Sequence, residues 1–215
     1  MLIVGAKGFA KEVLEVLHQN NETENLVFYD DVNDDAPEYL YGQFKILKNS
    51  KEASTYFKMV DNRFTIGIGN PILRKKLAKK FNDLGGEFTS TISPLATIGS
   101  FGNAVGEGCN IMTGVVITND IVIKTGTLIN LNCTVGHDSI INEFVELCPG
   151  VHVSGNCFIG GFSVLGTNAT VLPNINIGKN VVVGAGSVVT KDVPDNCVVI
   201  GIPAKIIKNV APLEF

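Results

Sequence analysis

Residues 129–153 read INLNCTVGHDSIINEFVELCPGVHV, and the spacing inside that stretch decides the fold. Ile129, Val135, Ile141, Leu147 and Val153 fall six apart. The same interval runs back through Ile123, Ile117, Ile111 and Val105. It runs forward through Ile159, Leu165, Val171, Ile177, Val183 and Val189. Every member is Val, Ile or Leu. The position four later is small or β-branched throughout, as at Cys109, Cys133, Ser139, Val145, Cys157, Ser163, Ala169 and Ser187. Six matches neither the helical period nor simple strand alternation. It is the period of a short strand plus a turn, with one large and one mostly small residue pointing inward per hexad. A β-sandwich would need turn signals at wider and less constant intervals. The stretch therefore predicts a parallel β-helix of hexapeptide repeats. Three hexads make one coil of a three-sided prism, and stacking about five coils at about 4.8 Å gives a column on the order of 24 Å tall.

The register changes near the start of the repeat. Ile92 and Ile98 are six apart, whereas Ile98 to Val105 is seven, so one residue is inserted within Gly99–Ala104. At the other end, Val198-Val199-Ile200-Gly201-Ile202-Pro203-Ala204-Lys205 leaves the repeat and is expected to pack as an extended end piece.

Residues 1–90 follow a different rule. An apolar strand at Met1–Val4 is followed by Gly5-Ala6-Lys7-Gly8 and then by Phe9, Val13, Val16 and Leu17 at helical spacing. A second strand, Leu26–Tyr29, ends in Asp30-Asp31. A third, Phe64–Ile68, runs into Gly69-Asn70-Pro71, where Asn70 suits an N-cap, Pro71 a first helical position and Gly85 a C′ residue. Strands alternating with helices predict a parallel sheet with crossover helices, a small Rossmann-like unit. The chain thus divides into an α/β unit over 1–90 and a β-helix with its tail over 91–215.

Composition narrows the function. A formal net charge of −4 over 215 residues, with no basic run, gives no footprint for nucleic acid. The apolar opening run is too short for a signal peptide core or a membrane span, so a cytoplasmic protein without membrane insertion is expected. Five cysteines without metal-type spacing read as reduced thiols, and Cys109, Cys133 and Cys157 occupy inward positions.

The chain has three histidines, His18, His137 and His152. Histidine is the residue type best suited to acid–base work near neutrality. His18 closes the first helix, just before Gln19-Asn20-Asn21, and is expected in solvent. His152 precedes inward Val153 and reads as a surface residue in one column with Thr134 and Thr170. His137 follows Gly136 at the turn of its hexad, has Asn119 and Gly155 as column neighbours, and precedes Asp138, which could fix its tautomer. From the residues alone, a catalytic base and an ordinary turn histidine both remain open for it.

The hexad register, Gly136-His137-Asp138, the tail Gly201-Ile202-Pro203-Ala204-Lys205 and the front end Gly5-Ala6-Lys7-Gly8 with Tyr29-Asp30-Asp31 together resemble the sialic-acid O-acetyltransferase family. That family includes N-acetyltransferases acting on nucleotide-linked 4-amino sugars. The resemblance spans nearly the whole chain. It implies a left-handed coil, a homotrimer and active sites between neighbouring columns. It also implies acetyl-CoA as co-substrate, without a permanently bound cofactor or metal. The family base falls on His137 with Asp138 following, and a polar residue near the base falls on Asn130. Contacts to acetyl-CoA fall on Thr167 and Ala185, with Gly155 nearby. The loop holding the nucleotide sugar falls on Lys7-Gly8-Phe9, where Phe9 replaces a histidine common in relatives.

Asp30 and Asp31, at a strand end, suit acceptance from a base or ribose hydroxyl, and Gly69 completes the expected crevice. Nine residues after His137, where relatives often carry a histidine contacting the acetyl donor, stands Glu146. The resemblance puts Glu146 among the acetyl-CoA contacts, but an ionised carboxylate cannot donate to a thioester carbonyl. It therefore reads as a second orienting acid, as a position where backbone amides alone hold the donor, or as a solvated surface carboxylate.

The expected activity is transfer of an acetyl group from acetyl-CoA to the amine of a nucleotide-linked amino sugar. O-acetylation of sialic acid or a related sugar is the same-class alternative, and a non-catalytic β-helix scaffold the alternative of another class. A metal-dependent hydratase would need three good ligands, and the repeat holds only His137 and His152. Outward apolar residues at Val116, Val122, Leu128, Ile140, Phe158, Val164, Val182 and Val188 favour the homotrimer, since a monomer would expose them.

Overall fold

A computed structural model describes residues 1–33 and 37–214. The front half is a six-stranded sheet. Its elements are β1 (Leu2–Val4), α1 (Gly8–Gln19), β2 (Val27–Tyr29), β3 (Tyr39–Leu40), β4 (Phe44–Leu47), α2 (Ser50–Met59), β5 (Arg63–Ile66), α3 (Pro71–Asp83) and β6 (Glu87–Phe88). The strand order is β3-β4-β2-β1-β5-β6, parallel except for the β3–β4 pair. β1 lies near the middle and is buried along its whole length, as its unbroken apolar run requires. α1 buries Ala10, Val13, Leu14, Val16 and Leu17, the stripe expected from its spacing. α3 begins as expected: the Asn70 side chain accepts from Leu73 N at 2.9 Å, Pro71 follows, and Gly85 has φ +96°.

α2 and the β3–β4 hairpin are additions to the elements expected from the sequence. Two side-chain hydrogen bonds hold the start of α2. Asn49 Oδ1 accepts from Glu52 N at 3.0 Å, and Glu52 Oε2 accepts from Lys48 N at 3.1 Å. Ala53, Tyr56 and Phe57 form its buried face.

From Thr91 onward the chain winds as a left-handed parallel β-helix with three faces. The first face stacks the pairs beginning at 91, 110, 128, 146, 164 and 182; the second those at 97, 116, 134, 152, 170 and 188; the third those at 104, 122, 140, 158 and 176. Thr91 pairs with Asn110 and Thr97 with Val116, nineteen apart, while Ala104 pairs with Val122, eighteen apart. The inserted residue is therefore where the register shift put it. The aliphatic series from Ile111 to Val189 is at most 2% exposed and forms one continuous core. Val105 differs, at 36% exposed, because the third face has no strand beneath it there.

A second six-residue series, unread in the sequence, makes the corners. Every sixth residue from Gly102 to Gly186 has positive φ. The occupants are Gly, Asn or Asp, the types that tolerate the left-handed region, except Phe144 at φ +53° and Phe162 at φ +61°. These two rings stack at 5.6 Å between centroids and join the buried cluster of the α/β unit that contains Phe64, Phe81 and Phe88. The strained corners are where the unit docks.

The outward apolar set is corrected at one residue. Leu128 is 1% exposed, covered by Val16 of α1 and by Met112 within the same chain. Val116, Val122, Ile140, Phe158 and Val182 are 36–40% exposed, and Val164 and Val188 are half-buried. The tail is also corrected. Rather than a single extended piece, Cys197–Gly201 and Ala204–Asn209 form an antiparallel hairpin continuing the first face. All five cysteines are free, and Cys109, Cys133 and Cys157 are buried as expected.

Candidate active site

The carboxyl ends of β1, β2 and β5 open side by side into a cavity of about 410 Å³. The crevice at the ends of parallel strands is the usual ligand position in such sheets. Lys7, Gly8, Phe9, Asp30, Asp31 and Gly69 all line it, together with Gly5, Tyr29, Asn33 and Gly67. A close approach shapes one wall: a Cβ on Gly67 would lie 2.5 Å from Ala10 Cα, so α1 can reach β5 only past a glycine. Lys7 is the N-cap of α1 but makes no side-chain cap, and its Nζ donates to Asn33 Oδ1 instead.

The two aspartates are occupied differently. Asp30 is 6% exposed, and its Oδ1 accepts from Val32 N at 3.2 Å and Asn33 N at 3.1 Å, an arrangement that ties down the loop after β2. Asp31 Oδ2 accepts from Tyr29 Oη at 2.8 Å and from Lys80 Nζ at 2.9 Å. Burial opposes its ionisation, but those hydrogen bonds outweigh it and hold its pKa below the ordinary value.

On the column, His137 and Asp138 stand at the corner between the second and third faces. Both side chains are open to solvent, and Nδ1 and Asp138 Oδ2 are 2.7 Å apart. Asp138 is itself a left-handed corner residue, φ +59°, so one residue forms the turn and holds the ring. Gly155, one coil further on, lies against the imidazole: a Cβ there would come 2.6 Å from Nε2. His18 is exposed, and exposed His152 pairs its Nδ1 with Thr134 Oγ1 at 3.0 Å.

Asn130, Thr167 and Ala185 occupy the other corner, between the first and second faces. Asn130 is 9% exposed and its Oδ1 accepts from Leu131 N at 2.8 Å; Thr167 and Ala185 are exposed. Within one chain the second face separates this corner from His137, and the fold does not bring the two groups together.

Glu146 is neither solvated nor beside His137. It projects from the first face against the α/β unit, 16% exposed, with Oε2 at 3.7 Å from Arg74 Nη1. A Cβ on Gly69 would lie 2.9 Å from its Oε1, so the carboxylate abuts the end of the crevice. Burial pushes its pKa above the ordinary value, with Arg74 pulling against that.

Arg74, absent from the residues expected at the site, is 1% exposed. It donates to Gly126 O at 3.1 Å, to Phe144 O at 3.0 Å, to Val145 O at 2.9 Å and to Gly69 O. Burial lowers its pKa to about 10, which leaves it charged at neutral pH. No local pattern marks such a residue, because its partners lie in other parts of the chain. Among the described residues, no group of three or more His, Cys, Asp or Glu is arranged to hold a metal, and no helix is long and apolar enough to cross a membrane.

Residues 1–81 match the family model of the PglD N-terminal domain. Perosamine N-acetyltransferase from Caulobacter crescentus, crystallised as a mutant with CoA and GDP-perosamine, is 31% identical. The match covers 97% of this chain and 96% of that one, with a TM-score of 0.89. The chain belongs to the nucleotide amino-sugar acetyltransferases of the hexapeptide family. Two more members of similar build are the acetyltransferase domain of PglB from Neisseria gonorrhoeae and WeeI from Acinetobacter baumannii. The first is 30% identical over 96% of this chain and 98% of that one, TM-score 0.88. The second is 31% identical over 96% and 98%, TM-score 0.87. Among curated protein sequences none matches the chain. In this acetyltransferase the family likeness covers crevice and column alike.

Proposed function

We propose that the protein moves an acetyl group from acetyl-CoA to the amine of a nucleotide-linked amino sugar, with His137 as general base. The observation that carries this is the extent of the likeness to an N-acetyltransferase crystallised with CoA and GDP-perosamine, 97% of the chain rather than the hexapeptide column alone. In this reading residues 1–90 hold the nucleotide sugar and residues 91–215 the acetyl donor.

The chemistry follows from the His137 corner. Asp138 accepts a hydrogen bond from Nδ1–H, which leaves the Nε2 lone pair for the acceptor amine. The amine nitrogen attacks the thioester carbonyl carbon and gives up a proton to Nε2. The tetrahedral intermediate then expels the CoA sulfur, which takes a proton as the thiol, and the N-acetyl sugar remains. Gly155 keeps space beside the ring, and the exposed Thr167 and Ala185 backbones line the donor side.

Those two groups stand at different corners of one column, so a complete site takes His137 from one copy and the Asn130–Thr167–Ala185 corner from its neighbour in a homotrimer. The exposed apolar residues Val116, Val122, Ile140 and Phe158 support association of copies. A cytoplasmic location fits the five unpaired cysteines and the supply of acetyl-CoA.

The experiment is release of free thiol from acetyl-CoA with a panel of nucleotide-linked amino sugars, each beside its hydroxy counterpart. Turnover confined to amino sugars supports N-acetylation. Turnover with the hydroxy counterparts or with free sialic acid would replace it by O-acetylation, and none with any sugar would favour the scaffold.

A further inference from the structure

Glu146 is a costly residue where it stands. Its first-face neighbours in register are Leu128 and Val164, so an apolar side chain would continue the surface. The cation beside it, Arg74, spends its hydrogen bonds on four backbone carbonyls and meets the carboxylate only at 3.7 Å. The other polar contact is the Cys148 thiol at 4.0 Å. Among the described residues, no N–H or O–H group hydrogen-bonds to the Glu146 carboxylate. A largely buried carboxylate with free acceptor capacity is unfavourable unless something donates to it.

Its position indicates the donor. Gly69 lines the crevice on one side and abuts the Glu146 carboxylate on the other. A nucleotide seated in the crevice would direct its sugar past Gly69 to the column. The thioester carbonyl offers only acceptors, whereas an amino sugar offers N–H and O–H donors.

We propose that Glu146 belongs to the acceptor side of the site, its carboxylate accepting a hydrogen bond from an N–H or O–H group of the sugar, and that Arg74 is the positioning residue that fixes Glu146 and Gly69 together. This rests on the acetyltransferase reading above and moves Glu146 from the acetyl-CoA contacts to the sugar contacts.

The test is calorimetric titration of the full chain. The probes are hexoses carrying an amino group linked to GDP, UDP or dTDP, their hydroxy counterparts, the free nucleoside diphosphates, and CoA. Glu146→Gln should weaken sugar-nucleotide binding by roughly tenfold to a hundredfold, as expected for loss of a charge-assisted hydrogen bond, and leave the diphosphates and CoA unchanged. Glu146→Leu, which continues the apolar face, should do the same if the Gln variant folds poorly. Arg74→Lys should weaken the sugar nucleotides but not the free diphosphates; a merely structural role would weaken both. Loss confined to amino sugars identifies the amine as donor, and equal loss for the hydroxy counterparts identifies a ring hydroxyl. Weakened CoA binding with normal sugar binding overturns the proposal, as does no change in either. A wild-type protein that binds none of the nucleotide amino sugars overturns the acetyltransferase reading itself, and this assignment with it.

Discussion

Gly155 sits directly against the imidazole of His137: a Cβ there would lie 2.6 Å from Nε2 and 2.7 Å from Cε1. Its backbone is not in the left-handed region, so alanine is sterically excluded only by the ring. Gly155→Ala should therefore displace His137 rather than unfold the coil. Turnover is expected to fall by roughly tenfold to a hundredfold, the scale of a misplaced catalytic group, with the melting temperature little changed. Equal turnover in the variant would mean that the ring position is not critical.

Asp138 has two roles that separate by substitution. Asn keeps the left-handed corner at φ +59° and loses the charge beside Nδ1. Ala loses both, at an added backbone cost of about 1–2 kcal/mol. Both variants should slow acetyl transfer, and only Asp138→Ala should lower the melting temperature appreciably. A normal rate in Asp138→Asn would confine the residue to the turn.

Phe144 is a corner residue of a type that disfavours positive φ, retained where the α/β unit docks. It is 7% exposed and stacked on Phe162. Phe144→Ala should destabilise the protein by about 3–5 kcal/mol through lost burial. Amide exchange should rise in α3, because Arg74 donates to the Phe144 carbonyl at 3.0 Å.

Asp61 supplies an acid-sensitive term. Burial opposes its ionisation, but hydrogen bonds from Arg63 and the Met1 amine prevail and hold its pKa well below the ordinary carboxylate value. A depressed folded pKa contributes stability that is present above the unfolded value near 4 and is lost as pH falls toward the folded one. Asp61→Asn should therefore be less stable than wild type at pH 7, with the gap closing in acid below about pH 4. Unfolding curves at a series of pH values check this; a constant gap would contradict it.

The repeat was legible because a solenoid sets inward residues at a fixed count, so Ile111 to Val189 could be placed before any contact was known. The corner series had the same period and went unread, since Gly, Asn and Asp are common in any turn and Phe144 and Phe162 break the pattern. In the crevice, Asp30, Asp31 and Gly69 were legible as strand ends, and Lys7 to Phe9 through the family resemblance. Leu128, Arg74 and the placement of Glu146 were not. Each depends on how the α/β unit docks on the first face, which spacing along the chain does not encode. Nor does the chain alone join His137 to Asn130, because they stand at different corners.

If His137 takes the acceptor proton, the turnover number of His137→Ala reports it, measured as thiol release from acetyl-CoA with the best nucleotide amino sugar. The side chain is 68% exposed and outside the core, so the variant should fold and bind CoA as wild type does. Turnover should fall by roughly 10²–10⁴-fold, the range for loss of a general base. A folded variant turning over at nearly the wild-type rate would exclude His137 as the base.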